Sequence, residues 1–111
     1  MITLTLIEQT TVKYLRDEKR VHNLLYAFSP NCAYDWNANA LYPGDAYVDI
    51  VGVDCYRSQS RDLAAMTTAV QGAVSHARRS GKVAAWTEFG LSSGLETQSV
   101  WLLDLGRSVN Y

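Results

Sequence analysis

The 111-residue chain has little of what usually reveals a function at first sight. Ten basic and eleven acidic side chains leave a net charge of -1, with 19% of residues charged and no long run of either sign. A basic face for nucleic acid therefore has little support. Two prolines and no low-complexity segment exclude a linker-like or collagenous chain. No stretch reaches the roughly 18 apolar residues that a membrane helix needs. Met1 to Ile7 lacks the basic and continuous apolar regions of a secretory signal. The two cysteines, Cys32 and Cys55, form neither a disulfide framework nor a metal-binding CxxC pair. Two separate thiols are expected, with a single bridge between them as the alternative. His22 and His76 lack metal-ligand spacing, so no metal and no cofactor is expected. The length itself excludes a complete eightfold β/α barrel, which takes about 250 residues.

What is present reads as one small domain over 1–111. Apolar residues make up 48% of the chain, enough for a single core. Leu4, Ile7, Thr11, Tyr14 and Leu15 fall on one face of a first helix, read as a surface helix with a moderately apolar stripe, which ends in the charged run Arg16 to Arg20. Asn23 to Phe28 is a short apolar run, expected as a strand buried on both faces. Ser29 to Ala46 is a polar, aromatic loop, and Tyr47 to Val53 is a second apolar strand leading into Asp54, Cys55 and Tyr56. Leu63, Met66, Val70, Ala73, Val74 and Ala77 then give one stripe of a helix from about Arg61 to Ser80. Gly81 is placed to end it, and Arg78 and Arg79 suit its negative end. Lys82 to Thr87 is a third strand, closed by Glu88, Phe89 and Gly90, and a last helix is expected through Val100, Trp101, Leu102 and Leu105. Apolar strands alternating with crossovers imply a parallel α/β sheet.

Each strand ends in polar or aromatic residues: Ser29 to Asn31, Asp54 to Tyr56, and Thr87 with Glu88. In parallel α/β folds ligands sit beyond those ends, so three segments point to one rim. Strand alternation puts Asp54 and Tyr56 on one face with Gly52, and Glu88 on the face of Trp86. Plainer readings stand beside these. Glu88 suits an exposed loop, Asp54 a turn cap, and Tyr56 and Trp86 ordinary packing. Tyr34, Trp36, Tyr42 and Tyr47 suit either a sugar-stacking platform or packing within the loop.

Three segments carry a resemblance: Asp17 to Pro30, Tyr42 to Tyr56 (YPGDAYVDIVGVDCY), and Trp86 to Gly90 (WTEFG). Together they resemble glycoside hydrolase family 26, chiefly endo-β-1,4-mannanases, over about residues 9–92. The YPGD run is specific, whereas several barrel hydrolase families share the TEFG ending. The resemblance implies a partial (β/α)8 barrel, with the segments resembling the helix after strand four and then strands five, six and seven. It implies Glu88 as the catalytic nucleophile of a retaining mechanism, Tyr56 as its hydrogen-bond partner and Asp54 as a substrate ligand. Trp86 is expected beside them as a binding residue.

Retention requires one carboxylate to attack the anomeric carbon and a carboxyl acid about 5–5.5 Å away to protonate the leaving oxygen. A phenol donating to a carboxylate favours its charged form. The family's acid/base glutamate, in a His-Glu-Met type segment at strand four, has no match in this chain. Its strand-eight tryptophan has none either, and residues 1–8 and 93–111 depart from the family pattern. Asp54 is a poor substitute for the missing acid. The expectation is a β-mannan or manno-oligosaccharide hydrolase domain with little activity as an isolated chain. A non-catalytic carbohydrate-binding or interaction module on the same fold is the alternative. No nucleic acid, membrane or protein partner is expected. Complete members of the family are usually exported, and the compartment of this chain is left open.

Overall fold

The computed structural model describes residues 3–32, 40–57 and 63–91. Helix α1 (Leu4–Lys13) runs into a π-helical turn, Tyr14–Glu18, and leads to β1 (Ala27–Phe28). A 3-10 turn, Asp45–Tyr47, precedes β2 (Ile50–Arg57), helix α2 (Leu63–Ser80) and β3 (Val83–Leu91). The strands form one parallel sheet in the order β1-β2-β3, with Ala27 opposite Ile50 and Ile50 opposite Val83. This is the parallel α/β arrangement that the alternation of strands and crossovers implied.

The core lies between the sheet and α2. Met66, Ala69, Val70, Ala73 and Ala77 of the helix pack against Val51, Val53 and Cys55 of β2, together with Phe28 and Val48. The stripe read at period 3.6 is thus the buried face, although Val74 is only partly buried. Burial of a side chain such as Met66 or Val51 contributes roughly 1.5–3 kcal/mol. The helix ends as expected, with Gly81 at φ 67° and Lys82 N–H donating to Ala77 O at 2.8 Å. That is a Schellman cap, which needs the left-handed conformation glycine adopts freely. The expected start near Arg61 and the expected helix through Val100 to Leu105 lie outside the described residues.

Three expectations are corrected and one is refined. First, the regular strands are displaced from the apolar runs: β1 is two residues long, and Tyr47 sits in the 3-10 turn rather than in β2. The β1 side still aligns with β2, through Asp49 N–H and Ile50 N–H to Tyr26 O, an isolated bridge between Asn31 and Asp54, and Asp54 N–H to Pro30 O. Second, the strands are not buried on both faces. The face of β2 toward α2 is sealed, but among the described residues no element covers the other face, where Val83 is 64% exposed. Apolar strands of this kind signal a sheet covered on both sides; here only one cover is present among the described residues.

Third, α1 is the surface helix expected, and the structure adds that its apolar stripe is the side turned outward. Leu4, Ile7 and Tyr14 are exposed, and Val12 is its buried residue. The helix docks through polar side chains that satisfy loop carbonyls: Thr5 Oγ1 donates to Leu41 O, Gln9 Nε2 to Pro43 O at 2.8 Å, and Arg16 Nη1 to Ala46 O at 2.9 Å. Unpaired carbonyls in a packed loop are costly, so these bonds decide which face turns inward. Fourth, Cys32 and Cys55 are bonded, their Cα atoms 5.2 Å apart. Cys32 N–H donates to Asp54 O at 2.9 Å, and that backbone bond brings the two cysteines side by side.

Candidate active site

Successive residues of a strand point to opposite faces. With Val51, Val53 and Cys55 turned to the helix, Gly52, Asp54 and Tyr56 face the other way, toward what we term the inner face. Strict alternation on β3 would put Glu88 with Trp86, opposite Val53 and hence on the helix side. The pairing register breaks that alternation: Val53 lies opposite Trp86, but Asp54 lies opposite Glu88. Thr87 is the extra residue, a β-bulge that re-aims the strand at its carboxyl end.

Both Thr87 and Glu88 consequently reach the inner face. Thr87 Oγ1 lies 2.7 Å from Asp54 Oδ1, and Tyr56 OH donates to Glu88 Oε2 at 3.0 Å. Tyr56 can lie across β3 because its partner in register is Gly90. A Cβ at Gly90 would sit 3.0 Å from two carbons of the tyrosine ring. The hydrogen bond to Glu88 and the charge of that carboxylate hold the Tyr56 phenol above its ordinary pKa.

Of the residues anticipated from sequence, Asp54, Tyr56 and Glu88 thus come together on one face. Trp86 does not join them. It packs against the helix-side core, with its ring 5.3 Å from that of Phe89. The bulge is the reason: by separating residues 87 and 88 from the alternation, it leaves 86 and 89 on one side. Two further expectations concern the loop aromatics. Tyr42 is packed between Phe28 and His76, with ring centroids 5.4 and 4.7 Å away, and its hydroxyl donates to Asp45. Burial and that hydrogen bond push its pKa up. Tyr47 lies under Lys13. Neither belongs to a platform on the inner face, while Tyr34 and Trp36 lie outside the described residues.

Sequence reasoning missed Gly52, Gly90 and the roles of Ser29 and Thr87. The signal available was a glycine inside each of two apolar strands, which marks a close approach or a bulge. Among the described residues no group of three or more His, Cys, Asp or Glu side chains could hold a metal ion. The chemistry on offer is that of a carboxylate held by a phenol, beside a second carboxylate held by hydroxyls.

Polar residues beyond the carboxyl ends of parallel strands, on the face away from the helices, define part of the wall of a (β/α)8 barrel enzyme. Solved structures agree. A modular endo-β-1,4-mannanase from Cellulomonas fimi superposes with a TM-score of 0.79 at 36% identity, over 94% of this chain and 25% of that one. A family 26 β-mannanase from Bacteroides ovatus does so with a TM-score of 0.76 at 28% identity, over 87% and 28%. The model of glycosyl hydrolase family 26 matches residues 6–93, and the chain belongs to that family. A mannan endo-1,4-beta-mannosidase of Bifidobacterium adolescentis is 42% identical over 90 residues, 73% of this chain and 9% of the relative's length. The chain therefore spans a small part of the proteins it matches.

Proposed function

We propose that these residues form the nucleophile side of a retaining β-1,4-mannan hydrolase site. Glu88 is the nucleophile, Tyr56 orients it, and Asp54 accepts a hydroxyl of the sugar. The observation that carries this reading is the hydrogen bond from Tyr56 to Glu88 Oε2 at 3.0 Å on the inner face. With Oε2 held by the phenol, Oε1 is left to attack the anomeric carbon, and the glycosidic oxygen leaves with its electron pair to give a glycosyl ester on Glu88. The identity of the sugar is supported by the names of several relatives, among them mannan endo-1,4-beta-mannosidases and an endo-β-1,4-mannanase. Trp86, expected to touch substrate, is proposed instead to stiffen β3 from behind, since it packs on the helix side.

The leaving alkoxide of a natural mannoside needs a proton, and loss of general acid assistance slows turnover by about 10²–10⁴. The 111 residues by themselves are therefore expected to cleave mannan poorly. An activated aglycone needs no proton donor and isolates the nucleophile. With 2,4-dinitrophenyl β-mannobioside we expect a burst of dinitrophenolate equal to the protein concentration, absent in Glu88→Ala. Saturable binding without a burst would instead favour a non-catalytic carbohydrate-binding module.

A further inference from the structure

Asp54 is gripped from two strands by groups that the mannanase reading does not employ. Ser29 Oγ, just past the end of β1, donates to Asp54 Oδ1, and Thr87 Oγ1 reaches the same oxygen at 2.7 Å. The two hydroxyls also meet each other, and Thr87 Oγ1 lies 3.1 Å from Val53 O. Beneath them is Gly52. A Cβ there would stand 2.7 Å from Thr87 Cγ2, 2.8 Å from Thr87 Oγ1 and 3.0 Å from Ser29 Oγ. Glycine at 52 thus supplies space for two hydroxyls. The Asp54 backbone is fixed as well, its N–H donating to Pro30 O at 3.0 Å and its O accepting from Cys32 N–H at 2.9 Å.

We infer that Ser29, Thr87 and Gly52 are positioning residues that form a seat for the Asp54 carboxylate, fixing Oδ1 so that Oδ2 alone is presented to a hydroxyl of the bound sugar. Among the described residues no hydrogen bond is made to Oδ2. Two hydroxyls on one oxygen fix the carboxylate about both χ1 and χ2, since either rotation carries Oδ1 away from them. That is how a hydrogen-bonded supporting shell sharpens recognition. The bulge links this seat to the nucleophile, because Thr87 and Glu88 are adjacent residues that grip Asp54 and receive Tyr56 respectively. A displacement of Thr87 therefore moves both halves of the site together. The inference rests on the reading of Glu88 as the nucleophile and Asp54 as a ligand of the sugar.

Two measurements on the whole chain separate the failure of that reading from failure of the seat. The first needs no substrate: NMR couplings about χ1 and the line width of the Asp54 side-chain carbon. Wild type and Thr87→Ser are expected to show one rotamer, and Thr87→Val, which keeps the shape and loses the hydroxyl, an averaged one. A rotamer averaged in wild type, or unchanged in a folded Thr87→Val, would overturn the seat. The second is the burst from 2,4-dinitrophenyl β-mannobioside as a function of its concentration. Thr87→Val and Ser29→Ala are expected to raise the half-saturating concentration about tenfold, the size of one lost charge-assisted hydrogen bond, with a smaller change in the maximal rate. Thr87→Ser is expected to restore it. An equal loss in Thr87→Ser, or a loss confined to the maximal rate, would contradict the role. No burst in wild type, with the Asp54 rotamer fixed as expected, would remove the catalytic reading and leave the seat standing. Should Thr87→Val not fold, Ser29→Ala carries both measurements.

Discussion

The two faces of β2 are built from alternate residues of one strand, yet they are in opposite states. Toward α2, Val51, Val53 and Cys55 are 0%, 1% and 0% exposed, sealed by a helix stripe spaced to meet them. On the other side Gly52, Asp54 and Tyr56 carry a ready-made set of hydrogen bonds under an open face, with Tyr56 39% exposed. The first face holds the sheet together through apolar burial. The second is held through polar contacts between neighbouring strands, so its geometry is set within the sheet itself. Apolar packing and polar contacts are thereby assigned to different sides of the same eight residues.

Substitutions that strike one face and spare the other test this division. The largest effect is expected from Met66→Ala, which empties a fully buried position against β2. A buried Met→Ala change costs about 2–5 kcal/mol. Chemical denaturation should show that loss, and the fraction that remains folded should keep its Asp54 rotamer. Reduction of the Cys32–Cys55 bond comes next. It joins residues 23 apart in sequence, and opening a loop of this size is expected to cost roughly 3 kcal/mol through the entropy of the unfolded chain. A melting curve with and without reductant measures it. An unchanged midpoint would show that the backbone bonds around Asp54 hold this corner alone.

The smallest effect is spectroscopic. Because Glu88 raises the pKa of the Tyr56 phenol, the bond favours the neutral phenol. Its contribution is fully present below the ordinary tyrosine pKa and is lost as pH rises through the higher folded value. Tyrosinate absorbance should therefore show one phenol, removed by Tyr56→Phe, that titrates above the ordinary range and moves back toward it in Glu88→Gln. No shift on Glu88→Gln would mean that the two side chains do not meet in solution.

Much of the helix face was legible from sequence because burial leaves a periodic trace. The stripe from Leu63 to Ala77, the glycine stop at 81 and the parallel strand order all follow from patterns that packing imposes. Asp54, Tyr56 and Glu88 were legible through the family resemblance and through their place at strand ends. What alternation alone could not give was the side on which Glu88 emerges. A single inserted residue, Thr87, reverses the parity of the strand after Trp86, and although Gly90 marks an irregularity in WTEFG, nothing in that string says at which residue the bulge falls. The same holds for α1, a surface helix whose docking face could not be told from its stripe. Hydrogen bonds from Thr5, Gln9 and Arg16 to loop carbonyls depend on a loop conformation that has no periodicity. Cys32 and Cys55 were likewise indistinguishable from two buried thiols until the chain after β1 was seen to run along Asp54.

The most direct test of a preassembled nucleophile is covalent trapping by 2-deoxy-2-fluoro-β-mannosyl fluoride, whose fluoride leaves without a proton donor and whose ester hydrolyses slowly. Intact mass and peptide mapping should find one fluorosugar per chain, attached to Glu88 and absent from Glu88→Gln. A folded chain that takes up no label, or carries it on another side chain, would contradict the assignment of the inner face as the nucleophile half of a mannan-cleaving site.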